Sequence, residues 1–168
     1  MIKLLNGRGQ LGNFLKNKIK NYQTEKEVFI YHTWNVWDKS EASQAKEYEK
    51  LKSFIDNNNN SGRVIFISTY SDNDNYYVHY KQKAEAYVLL NWKDSIILRL
   101  PSLIGNKGIF KKLKQKECSP YGILQIMSLE QASNKILEFI DYKGLSRTFT
   151  ITGENIKAET LNELLHIL

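Results

Sequence analysis

A tyrosine and a lysine four residues apart, Tyr77 and Lys81, form the pair in this chain best suited to proton chemistry. On a helix, a spacing of four residues places two side chains on the same face. An ammonium beside a phenol stabilises the phenolate, and so lowers the pKa of the tyrosine from its usual value near ~10. Such a tyrosine can act as a general acid or base near neutral pH. Because the chain has ten tyrosines, a chance pairing of structural residues is the alternative.

A glycine-rich segment near the start of the chain predicts a second functional element. Its three glycines follow an apolar run and precede a stretch with helical periodicity, the setting of a turn that binds the pyrophosphate of a dinucleotide. The alternative is an ordinary strand-to-helix turn that needs glycine for its backbone conformation. An arginine within the segment suits the 2′-phosphate of NADP, which is therefore slightly favoured over NAD. The predicted cofactor-binding residues are Gly7, Arg8, Gly9, Gln10, Leu11 and Gly12.

Apolar runs and helical segments alternate along the chain, which predicts a parallel sheet covered by helices on both faces. The predicted fold class is therefore α/β, a reduced Rossmann-type sheet of about five strands. Asp38 with Glu41, and Ser128 with Gln131, have the spacing of a helix capping box. The predicted strands cover residues 2–5, 28–33, 64–69, 96–100 and 148–152, and the predicted helices cover residues 10–22, 38–55, 75–90, 128–140 and 157–167.

Length and composition are those of an ordinary globular protein. The 168 residues predict a single domain, with a nucleotide-binding core in residues 1–100 and, in residues 101–168, a short substrate region, the last strand and the last helix. No apolar run approaches the roughly 20 residues of a membrane span, and the first residues are too short an apolar stretch for a signal peptide. The lone Cys118 predicts a reducing, cytoplasmic location. The net charge of +6 favours anionic partners, among them nucleotides, sugar nucleotides and nucleic acid.

A lysine-rich segment follows the fourth predicted strand. Its ammonium groups suit the diphosphate of a substrate, and a solvated helix face is the alternative. Binding of single-stranded nucleic acid is disfavoured, because the lysines do not alternate with aromatic residues. The histidines and the cysteine share no ligand spacing, so we expect no metal site. The segment contains Lys107, Lys111, Lys112, Lys114 and Lys116, of which the first three are the predicted substrate-binding lysines.

A series of short motifs resembles, in order along the chain, the extended short-chain dehydrogenase/reductase family of NAD-dependent epimerases and dehydratases. Within that family the likeness is greatest to the dTDP-4-dehydrorhamnose reductase group. The order and spacing of the motifs carry the resemblance more than any one of them does. The motifs are Gly9-Gln10-Leu11-Gly12, the segments 36–41 and 64–69, Tyr77 with Lys81 and Glu85, the segment 97–101 with Gly105, and the segments 129–132 and 149–153.

The resemblance implies hydride transfer between a nicotinamide cofactor and a carbon of a nucleotide-linked sugar. The reaction would be a keto-sugar reduction or an epimerisation in surface-polysaccharide synthesis. The resemblance assigns proton transfer to Tyr77, with Lys81 lowering its pKa and contacting the cofactor, and it assigns the substrate oxygen to Thr69. The other residues implied are Ser68 at the substrate and His32, Thr33 and Pro101 at the cofactor.

The chain is also shorter than the family pattern. The stretch from Tyr22 to Val28 leaves no room for the second strand, its helix and the third strand that the family usually carries there. We therefore expect a deletion of the unit that walls the adenosine half of the cofactor. A second subunit in a homodimer could supply that wall. The alternative function is that of a relative that binds a nucleotide or a partner chain without turnover.

Overall fold

The computed structural model describes residues 1–5, 9–58, 61–105, 111, 115 and 122–167, except for the side chains of residues 162 and 164–167. Within these residues the main sheet contains five parallel strands, side by side in the order β1 (Ile2–Leu5), β2 (Val28–Tyr31), β3 (Arg63–Thr69), β4 (Asp94–Leu100) and β7 (Arg147–Thr150). A smaller sheet contains β5 (Ser102–Ile104), β6 (Ile123–Ser128) and β8 (Glu154–Lys157). The main sheet confirms the predicted fold class.

Helices cover both faces of the main sheet, as the sequence predicts. One face is covered by α1 (Gln10–Ile19) and α4 (Leu129–Glu138), and the other by α2 (Glu41–Asn57) and α3 (Tyr76–Asn91). A further helix, α5 (Ala158–Ile167), directly follows β8. In the described part of the chain, no helix combines the length and the apolar character that crossing a membrane requires.

Alternating side chains along the strands build one core on each face of the main sheet. In β3, Ile65 and Ile67 belong to the core beneath α1 and α4, whereas Val64 and Phe66 belong to the core beneath α2 and α3. This is the period of two expected of a strand that is buried on both faces. Leu15 of α1 is fully buried in the first core, and a leucine buried in this way stabilises the fold by about 1.5–3 kcal/mol.

The order of the strands reveals an unusual connection at the start of the chain. Strands β1 to β4 lie side by side in chain order, yet α1 lies on the opposite face from α2 and α3. The β1–α1–β2 connection therefore has the opposite hand to the two connections that follow it. Connections between parallel strands are right-handed in about 98% of cases. The sheet therefore contains at least one connection of the rare left-handed kind. Deleting the outer strands from a sheet of order 3-2-1-4-5-6 would leave this arrangement, with β1 at the edge.

The smaller sheet is a feature that the sequence did not predict. Pro101 ends β4, and β5 begins at the next residue and pairs with β6 in parallel. β6 pairs with β8 in antiparallel. A β-carbon at Gly153 would collide with the backbone oxygen of Ile126. Glycine is therefore required here because the segment before β8 approaches β6 closely.

The helix starts and strand ends test the predicted boundaries. The capping box at Ser128 is confirmed, because its hydroxyl accepts from the Gln131 N–H and the Gln131 side chain accepts from the Ser128 N–H. The box at Asp38 is wrong. The N-cap of α2 is Ser40, and Asp38 accepts from the Ser40 N–H at 2.9 Å instead of capping the helix. β2 ends at Tyr31, two residues early, and the Thr33 hydroxyl donates to the backbone oxygen of Leu5.

Candidate active site

The predicted site residues that the structure describes lie mainly at the carboxyl edge of the main sheet. Because the five strands are parallel, their carboxyl ends and the loops that follow them meet at this edge. α1 follows β1 on one face of the sheet and α2 follows β2 on the other. The two connections therefore diverge and leave a crevice, which is where open α/β sheets bind ligands. The predicted residues at this edge are Gly9, His32, Thr33, Ser68, Thr69, Tyr77 and Pro101.

The turn that opens α1 leaves space beside its backbone. Gly9 is the N-cap of α1, with φ −81° and ψ 175°, a conformation that does not itself require glycine. Among the described residues, no heavy atom lies within 4 Å of a β-carbon built at Gly9, and no side chain caps the helix. An uncapped helix N-terminus with space beside it is an arrangement that suits a phosphate group. Gly7 and Arg8 lie outside the described residues.

The remaining residues of the glycine motif serve packing. Leu11 and Gly12 are buried on the side of α1 that faces the sheet. The side chain of Gln10 lies against Gly105, where a β-carbon would collide with it. Gly105 therefore allows the segment after β5 to approach the start of α1. Pro101, at the end of β4, is buried.

Tyr77 lies in the first turn of α3, beside the end of β3. Its side chain is half-buried and lies beside Thr69, whose hydroxyl accepts from the Ser71 N–H at 3.1 Å. Burial raises the pKa of Tyr77 to about 12, although the neighbouring Thr69 hydroxyl opposes this change. The lowered pKa that the sequence predicted is therefore wrong. At neutral pH Tyr77 holds its proton, which suits a proton donor.

Lys81 lies one turn further along α3 and is buried in the core, with 3% of its surface exposed. Its ammonium donates to the backbone oxygen of Ile67 at 2.7 Å. It also lies 4.5 Å from the ring centroid of Trp34 and 4.6 Å from that of Phe66. Burial lowers the pKa of Lys81 to about 7, against the opposing effect of nearby carboxylates. The ammonium is thus held by a strand carbonyl and two rings, and the pKa of Tyr77 is set by burial and by Thr69 instead.

Glu85, the third residue of the predicted signature, joins α3 to β4. Its carboxylate accepts from Nε of Arg99 at 3.0 and 3.1 Å and from Nη2 at 2.5 Å. Only 5% of the Glu85 side chain is exposed, and the paired carboxylate raises the pKa of Arg99. The pair positions α3 on the sheet and so indirectly fixes the height of Tyr77 above the carboxyl edge.

Two predicted site residues carry buried polar atoms without a hydrogen-bond partner among the described residues. These atoms are Nε2 of His32, just after β2, and Oγ of Ser68, near the end of β3. Burial lowers the pKa of His32 to about 4, and the charges of Lys81 and Lys16 lower it further, so the imidazole is neutral at pH 7. Buried polar groups are normally hydrogen-bonded. Unpartnered atoms at the crevice are therefore consistent with a polar ligand there.

Gln44 is a site-supporting residue that the sequence analysis missed. It is fully buried, and its Oε1 accepts from the Trp34 indole at 2.7 Å. Its Nε2 donates to the backbone oxygens of Asn35 and Asp38. Gln44 thereby fixes the loop after β2 and holds Trp34 over Lys81. A polar residue on the apolar side of an amphipathic helix was the one signal in the sequence for this role.

One predicted substrate-binding lysine, Lys111, lies within the described residues. It is exposed, and its ammonium lies 6.0 Å from the ring centroid of Trp37. Lys107 and Lys112 lie outside the described residues. Ser68, the other residue assigned to the substrate, is buried at the crevice as described above.

A shallow groove of about 570 Å³ lies at the opposite, amino edge of the sheet. Its charged residues are already engaged in part, since Arg63 bonds Asp94 at 2.8 Å and Lys26 bonds the same carboxylate at 3.3 Å. None of the predicted site residues lines this groove. It is bordered by Lys26, Glu27, Ser61, Gly62, Arg63, Lys93, Asp94, Lys143, Gly144, Leu145 and Ser146.

Comparison with known proteins gives matches among solved structures only, since no family model and no curated protein matches the chain. A dTDP-4-dehydrorhamnose reductase from Clostridium acetobutylicum superposes with a TM-score of 0.79, covering 99% of this chain and 79% of its own, at 16% identity. A UDP-N-acetylglucosamine 4-epimerase from Bacillus cereus superposes with a TM-score of 0.72, covering 96% of this chain and 81% of its own, at 14% identity. The enzyme WbmG from Bordetella bronchiseptica, solved in complex with NAD, superposes with a TM-score of 0.71, covering 98% of this chain and 76% of its own, at 11% identity.

The chain therefore has a Rossmann-type α/β fold, which it shares with these epimerase and reductase structures. This confirms, at the level of the fold, the resemblance that the sequence motifs predicted. The similarity to a dTDP-4-dehydrorhamnose reductase agrees with the group to which those motifs point.

Proposed function

We propose that the protein is an NAD(P)-dependent oxidoreductase or epimerase that acts on a nucleotide-linked sugar. The observation that supports this most is the convergence of three elements at one crevice. They are the uncapped start of α1 at Gly9, the neighbouring side chains of Tyr77 and Thr69, and the polar atoms of His32 and Ser68 that have no partner among the described residues. A role in surface-polysaccharide synthesis and a cytoplasmic location, both expected from the sequence, remain part of the proposal.

The residues present fit a nicotinamide dinucleotide in part. The start of α1 would hold the pyrophosphate, with Gly9 leaving room for it. His32 and Ser68 would supply hydrogen bonds, and Thr33 and Pro101 would border the crevice. Solved neighbours contain NAD, or NAD with UDP, in WbmG, and UDP-glucose in a 4-epimerase from Thermotoga maritima. A preference for NADP depends on Arg8, outside the described residues, and stays a prediction.

A bound nicotinamide would supply the hydride that converts a carbonyl carbon of the sugar into an alcohol carbon. The chain would supply the matching proton. Tyr77 is protonated at neutral pH, and so would transfer its hydroxyl proton to the carbonyl oxygen as negative charge develops there. Thr69, whose hydroxyl lies beside Tyr77, would stabilise the phenolate that remains. The raised pKa keeps Tyr77 in the protonated form that reduction requires.

A second candidate is a relative that binds a nucleotide or a partner chain without turnover. The observation in its favour is the position of Lys81, whose ammonium is occupied by the Ile67 carbonyl and enclosed by Trp34 and Phe66. Burial and the neighbouring Thr69 hydroxyl account for the shifted pKa of Tyr77 instead. The edge position of β1 also leaves the adenosine side of the crevice without its usual wall, unless a second subunit in a homodimer provides one.

Replacing Gly9 with serine should abolish dinucleotide binding while leaving the fold intact. Serine is a good N-cap, and φ −81° suits it, so the free energy of unfolding should change by no more than about 0.5 kcal/mol. Its side chain would occupy the space proposed for the pyrophosphate. NADPH or NADH should raise the melting temperature of the wild-type protein, because a ligand that binds only the folded state stabilises it. Thermal melts of both proteins, with and without each dinucleotide, make the comparison.

Absence of any shift for the wild-type protein at millimolar dinucleotide would refute the binding proposal. An equal shift in Gly9→Ser would show that the dinucleotide binds away from α1. A shift that the variant loses, combined with no oxidation of NADPH in the presence of nucleotide-linked keto-sugars, would favour the second candidate. Loss of the dinucleotide-induced melting shift in Gly9→Ser, together with oxidation of NADPH by the wild-type protein, would support the proposed oxidoreductase.

A further inference from the structure

Trp37 is a large apolar side chain held in an exposed position at the carboxyl edge. Half of its surface, 50%, is open to solvent, although the loop that carries it is firmly bonded. The Asn35 side chain accepts from the backbone N–H of Trp37 at 3.0 Å and of Asp38 at 3.2 Å. Gln44 binds the backbone oxygens at both ends of this loop segment. The indole is therefore presented by a fixed backbone, and only its ring remains free to acquire a partner.

Two lysine ammonium groups lie near aromatic rings in this part of the carboxyl edge. The Lys111 ammonium lies 6.0 Å from the Trp37 ring centroid, and the Lys39 ammonium lies 5.6 Å from the ring centroid of Tyr77. The two contacts are joined by the short backbone step from Trp37 to Lys39, and these four residues are called the aromatic–basic row. An exposed aromatic ring beside positive charge is the combination that binds a nucleobase together with its phosphates.

We propose that Trp37 stacks on the nucleobase of the nucleotide-linked substrate, with Lys39 and Lys111 beside its diphosphate. The inference depends on the proposed function, because it names the part of the substrate that this row would bind. The charge of the row favours a nucleoside diphosphate over a neutral sugar. Its position beside Tyr77, rather than at the start of α1, assigns the base to the substrate and not to the adenosine of the cofactor.

Titration with UDP and dTDP, followed by tryptophan fluorescence and calorimetry, tests the proposal. Trp37→Ala should weaken binding of both diphosphates about ten-fold or more, since stacking on one base typically contributes that much. Trp37→Phe keeps an aromatic ring and should recover most of the affinity. Leu90→Ala is the matched control, because Leu90 is also an exposed apolar residue, at 84%, but lies at the far end of α3. It should bind the diphosphates as the wild-type protein does.

Three results would overturn the proposal. They are failure of the wild-type protein to bind either diphosphate, equal affinity in Trp37→Ala, and weakened binding of NADPH but not of UDP in that variant. If the equal affinity in Trp37→Ala came with a change of oligomeric state, it would identify Trp37 as a protein contact. The same proteins are also titrated with NADPH. If they bind NADPH but Trp37 does not affect diphosphate binding, this inference fails while the proposed function, which depends on Gly9, stands.

Discussion

Replacement of Tyr77 with phenylalanine should lower kcat for reduction of a nucleotide-linked keto-sugar by about 10²–10⁴-fold. The variant loses the hydroxyl that would protonate the carbonyl oxygen but keeps the ring that packs at the start of α3. The Thr69 hydroxyl keeps its bond from the Ser71 N–H, and this end of α3 is only half-buried. The melting temperature should therefore change little, and the dinucleotide-induced shift should persist. Oxidation of NADPH under substrate saturation measures the effect.

Tyr76→Phe provides the matched control for that experiment. Tyr76 precedes Tyr77 in the same helical turn but is 49% exposed, so it should retain wild-type kcat. A Tyr77→Phe enzyme with full turnover would remove the proton-donor role. Equal losses in both variants would point to a disturbed helix start and would contradict the assignment as well.

Replacement of Lys81 with methionine should change how stability depends on pH. The pKa of Lys81 is about 7 in the folded protein and 10.5 in an unperturbed lysine. Between these values the unfolded state binds a proton that the folded state has released, so the stability of the wild-type protein rises with pH. Each pH unit in this window contributes up to about 1.4 kcal/mol. The free energy of unfolding of the wild type, minus that of Lys81→Met, should therefore increase by about 4 kcal/mol from pH 7 to pH 10.

Urea unfolding at several pH values measures this difference, and the subtraction cancels the titration of the tyrosines common to both proteins. Lys83→Met is the control, because Lys83 lies on the exposed side of the same helix. The difference in free energy of unfolding between the wild type and Lys83→Met should stay constant from pH 7 to pH 10. A constant difference for Lys81→Met would mean that the ammonium is not confined between Trp34, Phe66 and the Ile67 carbonyl.

The main sheet could be predicted from the sequence because its signals are local. The central strands β2, β3 and β4 are rich in Val, Ile, Leu and Phe, and α2, α3 and α4 begin after the polar N-caps Ser40, Asn75 and Ser128. The smaller sheet carried no such signal. β5 has three residues and follows Pro101 directly. Its partner β6, and the strand β8 that pairs with β6, are distant from it in sequence. Pairing between such short, separated strands depends on tertiary contacts such as the close approach at Gly153.

The same division between local and distant contacts explains the errors at the site. Helical spacing correctly groups Tyr77 with Lys81 on α3, but it does not reveal what either group touches. The partners of Lys81 come from β3 and from the loop after β2. Burial of Tyr77 depends on how α3 packs on the sheet, where the pair of Glu85 and Arg99 joins α3 to β4. The electrostatic effect expected from spacing alone was therefore reversed by burial.

Arg63 is a further case in which the fold assigns a role that no sequence pattern shows. It is almost completely buried at the start of β3. Its Nη1 donates to the backbone oxygens of Phe139 and Ile140 at the end of α4, and its Nε donates to Asp94 at the start of β4. The guanidinium thus satisfies carbonyls at a helix end and joins three elements at the amino edge.

The central claim is that the carboxyl edge still binds a nicotinamide dinucleotide, although β1 has no strand on its outer side. A crystal structure after soaking with NADPH tests it most directly. The account predicts the pyrophosphate beside Gly9 at the first turn of α1, with the nicotinamide facing Tyr77 and Thr69. A dinucleotide bound elsewhere, such as in the groove at the amino edge, or a nicotinamide directed away from Tyr77, would contradict it.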